Sequence, residues 1–170
     1  MPDRNDTEHA EHVETLRDLL SDVRTCMFTT VDTDGTPWSR PMAIQEAEFD
    51  GDLWFFSRKD SEKLEHIRRN RKVGVAVAQP GDSTYVTLAG RALVVHDDAK
   101  TRELWSEAAR AWFPEGPDSD KLCLIKVEVQ RAEYWTSPSN VLVMAFGYAK
   151  AVLTGEPPRG ELSDNAKVDL

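Results

Sequence analysis

Apolar positions recur every three or four residues at the start of the chain and then alternate with polar positions in several short runs. The first pattern predicts an amphipathic packing helix that is capped by Asp6 or Thr7 and ends near Val23. Alternation is typical of strands with one face in a core, so the chain is predicted to be mainly β with peripheral α-helices. The apolar face of the first helix comprises Val13, Leu16, Leu19 and Leu20.

The alternating runs are separated by turn residues, which indicates a sheet that grows by hairpins. Pro41 lacks a backbone N–H and predicts an edge strand or a bulge, and Gly90 interrupts one long run. Six or more strands with few helices favour a closed barrel over a sandwich. The predicted strands cover residues 26–31, 38–44, 53–56, 73–78, 85–95 and 122–135.

Two further helices are predicted between these strands. Asp60 or Ser61 can cap a short helix that continues to Asn70. Residues 99–111 have helical spacing and stop before a segment rich in Pro and Gly. The inward positions are Leu64 and Ile67 in the first helix and Leu104, Trp105 and Ala108 in the second.

Length and composition favour one domain. The chain has 170 residues, and its hydrophobic fraction of 40% suffices for a core. Residues 1–24 are assigned to the N-terminal helix and residues 25–136 to the barrel. Residues 137–170 are predicted to form a helix at 141–153, followed by a polar tail of the same domain.

The charge balance limits the partners. There are 21 Lys and Arg residues against 30 Asp and Glu residues, a formal net charge of −9. This field opposes binding to nucleic acid and to anionic membranes, so an anionic ligand requires a local basic site. No apolar stretch matches a signal peptide or a spanning helix, which predicts a cytoplasmic protein.

Common catalytic and metal motifs are missing from the sequence. Residues 32–35 resemble the start of a calcium loop, but Ala43 stands where the closing glutamate belongs. Cys26 and Cys123 lie in strand-like runs and are predicted to be buried free thiols. His66 is solitary and receives no role. We therefore predict no catalytic residue and no metal site.

A cluster of phosphate-binding groups is predicted around the second helix. Arg40, Ser61, Lys63 and the helix start after Asp60 can supply a guanidinium, a hydroxyl, an ammonium and free N–H groups. The alternative is that Ser61 is only an N-cap and Lys63 only a solvated residue of the first turn. Local sequence favours neither interpretation over the other.

Aromatic residues near this cluster can form a site for a flat ring. Phe55 and Phe56 lie on opposite faces of one strand, so at most one of them can line such a site. Trp135, or Trp112 with Phe113, can cover a cofactor edge, although aromatic residues at such places are also ordinary interface anchors. Together with the phosphate groups, they favour a flavin nucleotide as the ligand.

Several ordered motifs resemble the flavin-binding split-barrel superfamily of pyridoxamine 5'-phosphate oxidase-like proteins, in its bacterial general stress protein branch. Each motif is short, and it is their order along most of the chain that carries the resemblance. They lie at residues 40–42, 50–57, 60–63, 112–116 and 133–135, with a further similarity at 154–156.

This resemblance implies a six-stranded antiparallel Greek-key split barrel with flanking helices, a homodimer, and one FMN in each of two clefts at the subunit interface. Arg40, Ser61 and Lys63 would bind the phosphate. Tyr85 would face the flavin, and Trp135 would come from the second subunit. The positions along the ring and ribityl chain would be Pro41, Met42, Phe56 and Ser57.

One departure from the oxidases bears on function. They carry an Arg-x-His element that grips the substrate after the aromatic position, whereas residues 136–140 here read Thr-Ser-Pro-Ser-Asn. Oxidation of pyridoxamine phosphate is therefore not expected. The sequence predicts an FMN-binding general stress protein, either a low-activity flavin-dependent oxidoreductase or a non-enzymatic protein that sequesters or senses flavin. FAD, a deazaflavin or haem as ligand, and a barrel that serves only as an interaction module, remain alternatives.

Overall fold

The computed structural model describes residues 4–45, 48–136 and 164–170. A long N-terminal helix precedes a series of strands, which two short helices and 3₁₀ turns at Pro80–Asp82 and Glu107–Ala111 interrupt. The helices are α1 (Arg4–Leu20), α2 (Glu62–Arg69) and α3 (Asp98–Leu104). The strands are β1 (Thr25–Val31), β2 (Pro37–Ala43), β3 (Asp52–Arg58), β4 (Lys72–Gln79), β5 (Thr84–Val95), β6 (Leu122–Thr136) and β7 (Asp164–Asp169).

All strand pairs in the described residues are antiparallel, in the order β2-β1-β4-β5-β6-β3, and β7 pairs with β6. The two ends of this order meet where the Gln45 N–H donates a hydrogen bond of 2.9 Å to the Trp54 carbonyl. The split-barrel prediction is confirmed, and the edge position expected for Pro41 agrees with β2 standing at one end of the order. The seventh strand, β7, was not predicted.

The inward rows of the strands form one large core. Phe28 of β1 and Phe55 of β3 meet edge to face, with ring centroids 5.1 Å apart, and both are fully buried. Helix α1 covers one side with Leu16 and Leu20. Phe56 points to the opposite side of β3 from Phe55 and joins a smaller cluster. That cluster also contains Leu104, Ala109, Leu122 and Leu124.

A register shift divides the β5–β6 ladder between Ala89 and Gly90, at the interruption that the sequence predicts. A Cβ on Gly90 would overlap the Glu128 carbonyl oxygen of the neighbouring strand. Backbone atoms cannot move aside as a flexible side chain can, so glycine is required here by close approach. The irregularity lets one long strand follow the curvature of the barrel.

Helix boundaries differ from prediction in two places. Helix α1 begins at Arg4, so Asp6 and Thr7 lie within its first turn and do not cap it. The helix expected over 99–111 ends at Leu104, because Trp105 takes an extended conformation and its ring packs at a tilt against Phe56, with 5.6 Å between ring centroids. A ring contact to a neighbouring strand thus overrides helical spacing.

The burial and tail predictions also need correction. Ala108 is exposed and Ala109 is the buried residue of the 3₁₀ turn that replaces the second half of the expected helix. The polar tail contains β7, whose side chains are mostly polar but whose Val168 is buried in the core. Strand β7 pairs with β6 from Arg131 to Thr136, and a backbone ladder needs no apolar pattern. The helix expected over 141–153 lies outside the described residues.

Both cysteines are buried free thiols, as predicted. Burial raises the pKa of Cys26 to about 12 and also raises the pKa of Cys123. The Cys123 thiol donates to the Ser57 carbonyl at 3.4 Å. Within the described residues no helix is long and apolar enough to cross a membrane.

Gly90→Ala is expected to lower the free energy of unfolding by about 1–3 kcal/mol, because overpacking against a fixed backbone forces the strands apart. Gly74→Ala is the matched control, since its Cβ would meet only Thr29 Cβ at 3.8 Å, an ordinary contact. The control should change stability by less than about 1 kcal/mol. Urea unfolding of the two variants measures the difference, and equal stabilities would contradict the close approach.

The native protein should react slowly with a thiol reagent at pH 8, because a raised pKa leaves little thiolate at Cys26 and burial blocks access to Cys26 and Cys123. The same protein in denaturing urea should label at both positions. Mass spectrometry of the labelled chain gives the count. Rapid labelling of the folded protein would contradict this assignment.

Candidate functional site

Two cationic side chains, Arg40 on β2 and Lys63 in the first turn of α2, lie close enough to influence one another. Burial, and then the charge of Arg40, lower the pKa of Lys63 below its ordinary value. Burial also lowers the pKa of Arg40, although Glu62 partly opposes this. In the described residues neither cation forms an ion pair with a carboxylate within 4.0 Å. Two partly buried positive charges repel one another, and an anion bound between Arg40 and Lys63 would relieve that repulsion.

Ser61 occupies the N-cap position of α2, but its hydroxyl makes no capping hydrogen bond. It accepts a hydrogen bond of 2.6 Å from the Lys63 ammonium instead. The Ser61 proton is therefore free to be donated to a ligand. Of the two interpretations that the sequence left open, a pure N-cap with a solvated lysine does not agree with this geometry, since Lys63 is partly buried.

The side chain of Arg40 bonds to Thr30, a buried residue that the sequence did not single out. Arg40 lies opposite Phe28, on the inward side of β2, and Arg40 Nη1 donates a hydrogen bond of 2.6 Å to Thr30 Oγ1. Thr30 Oγ1 is in turn 3.0 Å from His66 Nδ1. A signal was present: Thr30 is polar at an inward position that follows Cys26 and Phe28 by alternation.

A groove of about 440 Å³ opens beside these groups, within the size range of small-ligand sites, about 300–1,000 Å³. Pro41, Met42, Phe56 and Lys63 line it. The lining also includes Trp112, which is 77% exposed. The groove thus has apolar walls and places Lys63 in its lining, with Arg40 close by.

Other predicted site residues lie elsewhere in this chain. The Ser57 hydroxyl is buried and donates to the Arg58 carbonyl at 3.2 Å. Tyr85 is 44% exposed and pairs across strands with Trp135 and Ala78. None of these side chains lines the groove formed by the described residues. Their roles stay predictions, and those of Tyr85 and Trp135 require a second subunit.

The groove combines apolar walls with cationic side chains. Among the described residues that line it, Arg24 and Lys63 are the titratable ones, and no carboxylate, imidazole or thiol joins them. An anion and a flat apolar ring fit such walls. A general acid paired with a general base is not found among these lining residues.

The fold is a split barrel with an apolar groove beside two cationic side chains, and comparison with known proteins identifies the family. Residues 11–159 match the family model described as pyridoxamine 5'-phosphate oxidase like. The match covers more than half of the chain, and the chain belongs to this family.

Relatives agree with this assignment. Protein bli-3 of Neurospora crassa is 24% identical over 157 residues, which span 86% of this chain and 75% of the relative. A structure from Jannaschia sp. CCS1 named general stress protein 26 is 25% identical, with a TM-score of 0.75, covering 95% of this chain and 99% of the other. The general stress FMN/FAD binding protein of Xanthomonas citri is 27% identical, with a TM-score of 0.63, covering 75% and 89%.

Arg40→Gln should raise the pKa of Lys63, because it removes a neighbouring positive charge while burial remains. NMR titration of isotopically methylated lysines measures this pKa. Lys126 is the internal control: its Nζ lies 2.7 Å from Asp52 Oδ2, which raises its pKa, and Arg40→Gln should not affect it. An unchanged Lys63 titration would show that the two cations are not neighbours in solution.

Proposed function

We propose that this chain is an FMN-binding protein of the general stress type that acts as a homodimer, with the FMN phosphate between Arg40 and Lys63. The observation that carries the proposal is the adjacency of two partly buried cations, neither of which has a carboxylate within 4.0 Å in the described residues. The name of the Xanthomonas citri relative supports a flavin as the ligand.

The residues present fit a phosphate monoester. Such a group carries about −1.5 to −2 charges at pH 7 and three acceptor oxygens. The Lys63 ammonium keeps two N–H groups beyond its bond to Ser61, and the Ser61 hydroxyl keeps its proton. Arg40 uses one N–H on Thr30 and retains others. An anion here relieves the repulsion between the cations and raises the pKa of Lys63 toward its ordinary value.

The apolar part of the groove suits the ring. Phe56 and Met42 are buried residues of the groove, and Trp112 is an exposed lining residue that a bound ring would cover. Burial of this indole surface would favour binding and exclude water from the site. When bound, the flavin supplies the redox chemistry, and the side chains of this protein bind and orient it.

A second copy of the chain is proposed to complete the site. The outward row that joins Pro41, Met27, Ala76 and Thr87 across four strands carries no charge. Tyr85 lies on the same face, two residues from Thr87. A two-fold partner on this face would bury Met27, which is 43% exposed, and would bring its own aromatic residues toward the groove.

Two functional classes remain for a flavin-loaded dimer. A low-activity oxidoreductase would turn over a small-molecule donor at the flavin. A non-enzymatic binder would sequester or sense the flavin, and the missing Arg-x-His element after Trp135 motivates this second candidate. Flavin redox chemistry needs no acid–base pair from the protein, so the lining of the groove does not separate the two classes. Saturable NAD(P)H oxidation by the loaded protein would support the first class. The absorption spectrum of the ligand-loaded protein distinguishes FMN or FAD from a deazaflavin or haem.

Lys63→Ala combined with Ser61→Ala should weaken FMN binding without unfolding the protein. A charge-assisted contact contributes about 1.5–3 kcal/mol, which corresponds to about 10- to 150-fold in the dissociation constant. Riboflavin, which has no phosphate, should bind the variant and the original protein equally. Lys126→Ala is the control for a lost lysine outside the groove. Flavin fluorescence titration measures each affinity, and equal FMN affinity in the double variant would exclude this phosphate site.

Ala76→Glu should dissociate the dimer and lower FMN affinity, because a carboxylate would be buried on the uncharged sheet face. Ala99→Glu adds the same charge on the exposed surface of α3 and should leave both properties unchanged. Light scattering after size exclusion gives the mass. A monomeric original protein, or a dimeric Ala76→Glu variant, would contradict the proposed interface.

A further inference from the structure

A buried polar pair behind the cations has no part in the function proposed above. Thr30 is fully buried, and His66 is 5% exposed. Their side chains link Arg40 Nη1, Thr30 Oγ1 and His66 Nδ1 through contacts of 2.6 and 3.0 Å. The other ring nitrogen, His66 Nε2, lies 4.0 Å from Glu62 Oε1, and that glutamate is largely exposed.

The donor and acceptor capacities of the three side chains limit which group donates in each of these hydrogen bonds. Arg40 can only donate, so Thr30 Oγ1 is the acceptor of that bond. Among the described residues, His66 Nδ1 is the acceptor within reach of the Thr30 proton. If the Thr30 hydroxyl donates to His66 Nδ1, the ring proton sits on Nε2, on the side of Glu62. All three groups then use their bonding capacity consistently.

The same bonds connect the two elements that carry the cations, β2 and α2, through β1. Arg40 belongs to β2, Thr30 to β1, and His66 to α2, one turn after Lys63. Because Ser61 and Lys63 lie at the start of α2, a link from His66 to Thr30 fixes the phosphate-binding turn relative to the guanidinium. Burial strengthens such bonds, since little water competes for them.

Packing alone does not account for these residue types. A hydroxyl and an imidazole lose solvation when they are buried, and an apolar residue of the same shape would fill the space of Thr30 without that loss. The polar pair gains its bonds only in the arrangement that also holds Arg40.

We propose that Thr30 and His66 are positioning residues, which orient Arg40 and hold α2 so that the guanidinium and the Lys63 ammonium face one phosphate. This inference rests on the proposed FMN site. It predicts that changes in the buried pair act on the phosphate end of the ligand and leave the ring end unaffected.

The test compares FMN with riboflavin in variants of the pair. Thr30→Val keeps the shape and removes the hydroxyl, and should weaken FMN binding by about 3- to 10-fold, as expected for a lost hydrogen bond. Riboflavin affinity should not change. Thr30→Ser keeps the hydroxyl and should bind FMN as tightly as the original protein. His66→Asn keeps an acceptor near Nδ1 and should bind FMN better than His66→Leu.

A double-variant cycle then asks whether Thr30 acts through Arg40. Thr30→Val should have a smaller effect on FMN affinity in an Arg40→Gln background, because the guanidinium that it orients is gone and only its link to α2 remains. An undiminished effect there, equal losses for FMN and riboflavin, or an unchanged FMN affinity in Thr30→Val would each overturn the positioning role.

The two proposals fail in distinguishable ways. If the original protein binds FMN and Lys63→Ala weakens it while Thr30→Val does not, the FMN site stands and only the positioning role is wrong. If the original protein binds no FMN, the proposed function is wrong and the positioning role, which requires its phosphate, is overturned with it.

Discussion

The ladder between β5 and β6 is the interaction on which the other elements depend. β6 is 15 residues long and pairs with β5 along one edge. Its other edge receives β3 at Leu122–Glu128 and β7 at Arg131–Thr136. β6 therefore has three partner strands and must follow the curvature of the barrel along its whole length. The register shift between Ala89 and Gly90 permits this curvature.

Closure of this sheet brings the two positive charges of Arg40 and Lys63 together beside the groove. β2 and β3 come from opposite ends of the strand order, and they meet through the bond between Gln45 and Trp54. Arg40 on β2 thereby comes close to α2, which follows β3 directly. Two cations are then partly buried together, an arrangement that costs free energy in the ligand-free protein and favours an anion. The protein has a net charge of −9, so this basic site is a local exception to its overall field.

The strands and α2 were predictable because their signals are local. Alternation set the strand faces, and Ser61 and Asn70 mark the ends of α2 as the N-cap and C-cap. The break after Leu104 was not predictable from spacing, since it depends on contact between Trp105 and Phe56 from a distant strand. Strand β7 was missed because pairing with β6, and not an apolar pattern, stabilises it.

The sequence by itself determined the inward faces of the strands, the turns between them and the position of α2, because each of these depends on neighbours within a few residues. Only the tertiary structure decided that the Ser61 hydroxyl bonds to Lys63 in place of capping the helix. It also decided that Thr30 and His66 meet behind Arg40. These contacts join residues up to 36 positions apart, and burial changes the strength and charge preference of each group only after the sheet has closed.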